Sequence, residues 1–474
     1  MLMSVVHRAG GASGNAGGAS GNAGDASGNA GDASGNAGDA SGNAADASGR
    51  AGEARPALPA ARVTISGDPA GLGAAGLLDG AQARSGVNVP ASAIWHGGSP
   101  SAWRQFADVG DLDLENGGVL PGVRVAFESW GKLNAARDNA ILVLHALTGD
   151  AHVVGPTAAG QPTPGWWDGL IGQGAVLDTD KYFVIAPNVL GGCQGTTGPS
   201  SVAADGQPYG SRFPAVTMRD LVSAEAALAD VLGIKTFHAI IGGSMGGMRV
   251  LEWAVSFPDR VKAAVAIAAC GYASADQIGW TTPQLAAIRS DQNFAGGDYY
   301  DQAWPLAGMA IAREIAHMTY RSGCELNTRF GRDAQEGEDP ATGGRFAVQS
   351  YISYHGAKLG RRFDPNSYLV LTEAMNSHDV GRGRGGLRAA LGRITADLTV
   401  AVVDSDRLFP PELGAEIALA PRAKPLVTMR SEYGHDGFLI EADQVSKVVA
   451  DAIEAPQITL VRPFSGAAST TAWA

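Results

Sequence analysis

One short stretch constrains the fold of this chain strongly, because it places a serine among four glycines between two kinds of secondary structure. The stretch is IIGGSMGGMRVLEW, residues 240–253. An apolar β-type run precedes Ser244 and a helix-type run follows it, which is the context of a G-x-S-x-G nucleophile elbow. The glycines either serve a sharply turned, closely packed backbone or lift the serine hydroxyl into a position for chemistry. The strand-to-helix context favours a nucleophilic Ser244.

Strand-like and helix-like segments alternate through most of the chain after residue 104, which predicts a parallel sheet covered by helices on both faces. Thr217 and Asp220 form a capping-box pattern that predicts the start of a helix reaching Leu232. The predicted strands are 123–130, 140–147, 181–189, 236–241, 261–269, 398–406 and 425–431. The other predicted helices are the segment after Gly246, 305–321, 344–360, and a last one carrying Val445, Val448, Val449 and Ile453.

The alternation of strands and helices stops between residues 271 and 390, where two long segments have a helical pattern. A helical insertion at this point of an α/β fold would act as a lid over the carboxyl edge of the sheet. The predicted organisation is an extension at 1–104, a first part of the α/β core at 105–270, the helical lid at 271–390, the second part of the core at 391–456, and a tail at 457–474.

The N-terminal extension contains a repeat of the unit ASGNAGD over residues 11–49, with an asparagine every seven residues. Alanine is the only apolar side chain of the repeat, and glycine recurs in every unit. Such a tract cannot bury enough apolar surface to offset the loss of chain entropy, so we predict disorder. A dispensable extension is favoured over an interaction tail.

Composition excludes several classes of partner. The formal net charge of −12 gives no general support for a nucleic-acid partner. The three cysteines lack CxxC spacing, which predicts a reducing compartment and no zinc site. No apolar run reaches the roughly 18 residues of a membrane helix, and the N-terminus lacks a signal-peptide pattern. The sequence predicts a soluble, cytoplasmic protein without a metal or a membrane partner.

A nucleophilic serine needs a base to accept its proton, and in folds with this elbow the order along the chain is Ser, Asp, His. His435 follows the last predicted strand and is the predicted base. His317 and His355 lie in helical patterns, and His378 opens a loop of the insertion. The acid is expected to follow the strand at 398–406, where strand alternation does not decide between Asp404 and Asp406.

Backbone N–H groups are expected to stabilise the oxyanion of the tetrahedral intermediate. One is the N–H of Met245, directly after the nucleophile. The second is expected from the loop after an early strand, at residues 144–150. His145 lies in this loop but precedes the serine in the chain, so a structural role is favoured over a catalytic one.

Other motifs allow two interpretations each. Residues 381–386 fit G-x-G-x-x-G but follow a helix-like stretch, so a dinucleotide site is not predicted, although the two arginines of this loop could contact a phosphate. Arg313, His317 and Tyr320 share one helix face, where Arg313 is either a surface charge or a carboxylate clamp. Asp436 could pair with a substrate ammonium. Residues 166–167, both Trp, are predicted to supply packing.

Nine segments together resemble the homoserine O-acetyltransferase family of α/β-hydrolase-fold acyltransferases. The resemblance covers about residues 105 to 455, and the repetitive extension has no counterpart in it. The segments are LHALTGDAH (144–152), GWWDGLIG (165–172), NVLGGCQGTTGPSS (188–201), GSRFPAVTMRD (210–220), GGSMGGMRVLEW (242–253), YASADQIG (272–279), AREIAHMTYRS (312–322), SDRLFPPEL (405–413) and YGHDGF (433–438).

The resemblance implies roles that the residue patterns alone leave open. It implies a triad of Ser244, Asp406 and His435, and oxyanion donors on the backbone of Leu147 and Met245. It further implies that Arg313 and Asp436 bind homoserine, and Tyr320 is taken as a third substrate-binding residue. Most relatives have tyrosine after SDRL, where this chain has Phe409.

The resemblance also implies the reaction, which is acetyl transfer from acetyl-CoA to the side-chain hydroxyl of L-homoserine through an acyl-serine. Acetyl-CoA is then a co-substrate, no cofactor is permanently bound, and the lid helices form a homodimer. Succinyl-CoA as donor, serine or another alcohol as acceptor, an esterase or thioesterase, and an inactive binding module are the alternatives.

Overall fold

The structure is a computed structural model that describes residues 94–95, 97–161 and 163–454. Most of the predicted extension at 1–104 and the whole predicted tail at 457–474 lie outside the described residues. The prediction of disorder for the repeat at 11–49 therefore stays a prediction.

Eight strands form one sheet, in which the central strands are parallel as predicted. The order across the sheet is β1-β2-β6-β3-β7-β8-β9-β10. Strands β1 and β2, and β2 and β6, pair antiparallel, and the remaining neighbours pair parallel. The strands are β1 Gln105–Asp113, β2 Val119–Trp130, β3 Ala140–Leu144, β4 Ile171–Gly172, β5 Leu177–Asp178, β6 Phe183–Pro187, β7 Phe237–Gly243, β8 Val261–Ile267, β9 Asp397–Val403 and β10 Val427–Met429, with β4 and β5 paired separately.

The pairing register aligns the carboxyl ends of the parallel strands. Leu144 of β3 pairs with Gly242 of β7, and Gly243 pairs with Ile267 at the end of β8. At the far side, Val403 of β9 pairs with Met429 of β10. The loops that leave these strands therefore emerge at one edge of the sheet, where parallel sheets place their ligand sites.

Side chains of the central strands alternate between two buried faces, as expected for a parallel strand that is covered on both sides. In β3, Leu142 and Leu144 pack in one apolar cluster with α-helical residues such as Val250. Ile141 and Val143 pack in the opposite cluster. The whole strand is apolar because neither face meets solvent.

Eleven α-helices lie within the described ranges. They are α1 Met218–Val231, α2 Met245–Ser256, α3 Ala275–Arg289, α4 Leu306–Tyr320, α5 Gly323–Phe330, α6 Ala347–Gly360, α7 Pro365–Asn376, α8 Leu387–Leu391, α9 Pro411–Ile417, α10 Gly437–Ile440 and α11 Ala442–Ile453. Short 3-10 helices lie at Gly210–Arg212, Pro258–Arg260, Ala295–Gly297, Pro340–Thr342 and Gly434–Asp436. Helices α1 and α2 cover one face of the sheet, and α11 covers the other.

The chain between β8 and β9 is helical and adds no strand to the sheet. Helices α3 to α8 lie in this segment, which interrupts the α/β core between Ile267 and Asp397. Helices α3 and α4 pack against one another, as do α4 and α6. The position of these helices matches the insertion predicted at 271–390, while their function as a lid stays a prediction.

The predicted strand ends differ from the observed ones mainly at the carboxyl edge of the sheet. Strand β3 ends at Leu144, three residues before the predicted end, and β9 ends at Val403 rather than at 406. In both places the apolar or polar pattern continues into a loop, so periodicity alone cannot locate the strand end. Strand β1 was not predicted, because its sequence QFADVGDLD mixes acidic residues and glycine with few apolar residues.

The capping box predicted for α1 is present. The Thr217 side chain accepts from the N–H of Asp220, and the Asp220 carboxylate accepts from the N–H of Thr217 at 2.8 Å. These bonds satisfy donors that a helix start leaves without intrahelical acceptors.

We expect Thr217→Val to destabilise the fold by about 1 kcal/mol, because the valine cannot cap α1 although it fills a similar volume. Urea denaturation of the purified variant measures this change. Thr282→Val is the control, since the exposed Thr282 hydroxyl donates only within α3, to the carbonyl of Ile278. Equal unfolding midpoints of the two variants would contradict the capping role.

Candidate active site

Ser244 occupies a strained turn between β7 and α2. Its φ is 57° and its ψ is −125°, on the side of the backbone map that residues with a Cβ rarely adopt. The Ser244 N–H donates to the carbonyl of Ile267 at 3.0 Å, which anchors the turn to the end of β8. A conformation of this kind persists only when its surroundings hold it, and such conformations cluster at active sites. The nucleophile elbow predicted from the sequence is therefore present.

The two glycines of the G-x-S-x-G pattern are required by close backbone contacts. A Cβ built on Gly242 would lie 2.5 Å from the carbonyl carbon of Gly246. A Cβ on Gly246 would lie 2.1 Å from the carbonyl oxygen of Leu144. No side chain fits at these distances, so the glycines allow α2 to begin directly against the ends of β3 and β7.

Ser244, His435 and Asp406 form a hydrogen-bonded chain. The Ser244 Oγ lies 2.8 Å from Nε2 of His435, and Nδ1 of His435 lies 2.6 Å from Oδ2 of Asp406. All three residues are buried. A carboxylate on Nδ1 holds the imidazole in the tautomer whose Nε2 can accept the serine proton. The arrangement can therefore activate Ser244 as a nucleophile.

The structure separates the two aspartates that follow β9. Asp406 faces His435, and its Oδ1 accepts from the N–H groups of Leu408 and Phe409, each at 2.9 Å. Asp404 is exposed, and its Oδ1 accepts from the N–H of Ser431 at 3.0 Å. Only Asp406 is placed to orient the imidazole, in agreement with the assignment that the resemblance implied.

Aromatic rings surround the imidazole of His435. The Phe409 ring stacks on it with centroids 4.7 Å apart and planes at 15°, and Phe438 contacts it edge-on at 5.3 Å. Tyr320 of α4 lies 6.0 Å away. Phe409 supplies this stacking surface with an aromatic ring that has no hydroxyl, and the hydrogen bonds of the triad are made by Asp406 and Ser244.

The predicted oxyanion donors lie on two elements that meet beside Ser244. Met245 is the first residue of α2, and Leu147 lies in the loop that follows β3. Within the described ranges, neither backbone N–H has an acceptor in the protein. Leu147 also lines a cleft together with Met248, Tyr320 and Phe409. Two N–H groups from these elements are the usual composition of an oxyanion hole in folds with this elbow.

Arg313 and Tyr320 approach the triad from α4. The Arg313 guanidinium carbon lies 5.0 Å from the centroid of the Tyr320 ring, and its Nη2 lies 3.5 Å from Nδ1 of His317. Nη1 of Arg313 is buried without a hydrogen-bond partner among the described residues. A buried guanidinium with a free donor is suited to bind a carboxylate.

Asp436 directly follows His435 and adds a carboxylate to the site. Burial raises the pKa of Asp436, and the charges of Arg313 and Arg321 oppose that rise. Its Oδ2 lies 3.4 Å from Nη1 of Arg321, which pairs more closely with Glu325 at 2.8 Å. The sequence analysis did not single out Arg321 as a site residue, although the helix predicted at 305–321 included it, and the observed α4 ends one residue earlier, at Tyr320.

The histidines at 145, 317, 355 and 378 have structural contacts. Nε2 of His317 lies 2.9 Å from the hydroxyl of Tyr351, and its ring stacks on His355 at 4.0 Å. Burial and the charge of Arg313 lower the pKa of His317 to about 2. His378 lies 3.1 Å from the carbonyl of Cys270, and Nε2 of His145 accepts from the N–H of Val189 at 3.1 Å. These contacts fit the packing roles favoured by the sequence.

Both arginines of the loop at 381–386 pair within the chain. Arg384 binds Glu252 at 2.6 Å, and Arg382 binds Glu115 at 2.7 Å. Each of the two arginines therefore has a carboxylate partner within the chain. The Trp pair at 166–167 packs as predicted, with ring centroids 4.7 Å apart and the Trp167 indole donating to the carbonyl of Phe438.

None of the helices in the described part of the chain combines the length and apolar character that a membrane span requires. The same residues contain no group of three or more His, Cys, Asp or Glu side chains that could hold a metal ion.

Comparisons with known proteins agree with this geometry. The family description of the α/β hydrolase fold matches residues 139–442. The homoserine O-acetyltransferase of Thermobifida fusca is 56% identical over 369 residues, covering 77% of this chain and 97% of the relative.

Two solved structures show the same fold. A homoserine O-acetyltransferase from Bacillus anthracis aligns with a TM-score of 0.69 and 26% identity, covering 75% of this chain and 98% of that one. The esterase E22 aligns with a TM-score of 0.68 and 27% identity, covering 74% and 99%. The identity and coverage of the sequence relatives show that this chain belongs to the homoserine O-acetyltransferase family, built on the α/β hydrolase fold.

Proposed function

We propose that this protein transfers the acetyl group of acetyl-CoA to the side-chain hydroxyl of L-homoserine, giving O-acetyl-L-homoserine and coenzyme A. The proposal rests on the hydrogen bonds of His435, whose Nε2 lies 2.8 Å from Oγ of Ser244 and whose Nδ1 lies 2.6 Å from Oδ2 of Asp406. The protein also matches 97% of the length of the Thermobifida fusca homoserine O-acetyltransferase. The reaction would supply methionine biosynthesis with an activated homoserine.

The first half-reaction acylates the serine. His435, oriented by Asp406, accepts the Ser244 proton while Oγ attacks the thioester carbonyl. The N–H groups of Leu147 and Met245 stabilise the oxyanion. When the tetrahedral intermediate collapses, the carbon–sulfur bond breaks, His435 returns the proton to the thiolate, and coenzyme A leaves an acetylated Ser244.

The second half-reaction transfers the acetyl group to the acceptor. His435 removes the proton of the homoserine hydroxyl, whose oxygen attacks the acetyl carbonyl. The same two N–H groups hold the oxyanion, and the proton on His435 returns to the Ser244 oxygen as the ester product leaves. No metal and no permanently bound cofactor takes part in this scheme.

Arg313 and Asp436 are proposed to recognise the amino-acid end of homoserine. The buried Nη1 of Arg313, which has no partner within the described residues, would bind the carboxylate. Asp436, beside the base, would bind the ammonium. The Tyr320 ring lies between Arg313 and His435, so it would pack against the acceptor's carbon chain.

Helices of the insertion would act as a lid, because water that reached the acetyl-serine would turn the transferase into a thioesterase. Apolar side chains are exposed on these helices, Ile311 at 50% and Tyr354 at 61%. Ile311 and Tyr354 lie on α4 and α6, which pack against each other, and we propose that a homodimer forms through these two helices. The three cysteines are free thiols, in keeping with a cytoplasmic location.

Incubation with acetyl-CoA alone is expected to acetylate Ser244, detected by mass spectrometry of the peptide. Ser244→Ala should lower homoserine-dependent release of coenzyme A by at least about a thousandfold. Ser290→Ala is the control, an exposed serine at the end of α3. An active enzyme that never carries acetyl on Ser244 would refute the ping-pong route.

The same assay separates the alternative functions. The fold similarity to esterase E22 makes hydrolysis the second candidate. Steady-state rates with acetyl-CoA and succinyl-CoA, each with homoserine, serine or water alone, are expected to be highest for acetyl-CoA with homoserine. Equal rates with and without an amino-acid acceptor would identify a hydrolase instead.

We expect Arg313→Gln to raise the KM for homoserine about tenfold or more, because a charge-assisted hydrogen bond to its carboxylate is lost. Acetylation of Ser244 by acetyl-CoA alone should stay within about twofold of the wild type. Arg289→Gln is the control, since Arg289 pairs with Glu373 on the surface of the insertion. A slowed acetylation half-reaction in Arg313→Gln would argue against an acceptor-binding role.

The double variant Ile311→Asp with Tyr354→Asp should sediment as a monomer where the wild type sediments as a dimer. Leu419→Asp is the control, because Leu419 is an 82% exposed apolar residue outside the insertion. A monomeric wild type, or a double variant that still dimerises, would contradict the proposed interface.

A further inference from the structure

A buried ion pair links the helix of the nucleophile to the loop after β3. Arg249 of α2 is fully buried, and its Nη1 lies 2.5 Å from Oε1 of Glu225 on α1. The other guanidinium nitrogen, Nη2, donates to the carbonyl of His145. Oε2 of Glu225 accepts from the indole N–H of Trp253 at 2.7 Å. Desolvating such a pair is costly, so apolar side chains would fill the same space at a lower cost.

The carbonyl that Arg249 holds lies two residues before Leu147. The next carbonyl, of Ala146, accepts from the N–H of Gly149 at 2.9 Å and lies 2.8 Å from Nδ1 of His145. In a trans peptide the C=O and the following N–H point in opposite directions. Fixing the Ala146 carbonyl therefore fixes the direction of the Leu147 N–H.

The imidazole of His145 has one tautomer that suits this network. Its Nε2 accepts from the N–H of Val189, so the proton is on Nδ1, where it donates to the Ala146 carbonyl. Burial and the charge of Arg249 lower the pKa of His145 to about 3, which keeps the ring neutral. Arg249 and His145 together hold two successive carbonyls of the loop.

We infer that Arg249, anchored by Glu225, is a positioning residue of the oxyanion hole. It fixes the loop that carries the Leu147 N–H against α2, whose first residue supplies the Met245 N–H. The two donors come from elements that are far apart in sequence, and the guanidinium is a direct polar link between those elements. The inference rests on the proposed acyl-transfer function, since it assigns Arg249 to the oxyanion hole of that reaction.

The double variant Arg249→Met with Glu225→Gln removes the link without leaving a buried charge unpaired. We expect kcat to fall about 10- to 100-fold, which is no more than the fall caused by removing a whole oxyanion donor. The KM values should stay within about twofold of those of the wild type. The rate of Ser244 acylation should fall by the same factor. The single variant Arg249→Lys, which keeps a cationic donor beside Glu225, should retain most of the wild-type rate of Ser244 acylation.

A second buried ion pair on α2 provides a matched control. Oε1 of Glu252, on α2, lies 2.6 Å from Nη2 of Arg384, which precedes α8. This pair makes no hydrogen bond to the loop at 144–150. Arg384→Met with Glu252→Gln is expected to lower the melting temperature to a similar extent while kcat stays unchanged. A purely structural role for Arg249 would instead give the two double variants equal, small effects on kcat.

Acylation by p-nitrophenyl acetate separates this inference from the proposed function, because it tests Ser244 and the oxyanion hole whatever the natural donor is. A wild type that reacts with the ester but not with acetyl-CoA would refute the function alone. A wild-type acylation rate in the Arg249 and Glu225 double variant would refute the inference. If that variant does not fold, Glu225→Gln alone should slow acylation about threefold or more, and an unchanged rate there overturns the inference.

Discussion

The contact between the backbone of Gly246 and the carbonyl of Leu144 is the constraint on which the site depends. A Cβ placed on Gly246 would lie only 2.1 Å from the carbonyl oxygen of Leu144, so no side chain fits at this position. Helix α2 therefore begins against the end of β3. Its first residue, Met245, lies beside the loop that carries Leu147. Ser244 precedes this contact in a positive-φ turn, which the hydrogen bond from its N–H to the Ile267 carbonyl holds.

Helix α2 carries two buried charged residues, one and two turns after Gly246. Arg249 pairs with Glu225 on one side of the helix, and Glu252 pairs with Arg384 on another. Each charge has an opposite partner, as burial requires, since an unpaired charge there would cost several kcal/mol. These pairs connect α2 to α1, to the loop after β3 and to the segment before α8. The helix that carries the nucleophile is thereby fixed by directional bonds as well as by apolar packing.

The sequence predicted those parts of the fold and site that follow from periodicity and chain order. Ser244 and His435 were found because each follows a predicted strand, and parallel strands end at one edge. Asp404 and Asp406 could not be separated, because strand alternation ends at Val403 and a turn decides which carboxylate faces the base. Local backbone geometry outside regular elements leaves no periodic signal.

The triad and the sheet do not by themselves choose the acceptor, since an esterase has the same fold at a TM-score of 0.68. In the proposed reaction, the two residues that would recognise the acceptor come from two parts of the chain. Asp436 belongs to the α/β core beside His435, whereas Arg313 belongs to the insertion. In the proposed reaction, an amino-acid acceptor bound by both would tie the insertion to the core across the acetyl-serine. Homoserine binding would then also exclude water, because the ligand that reacts is the one that holds the lid closed.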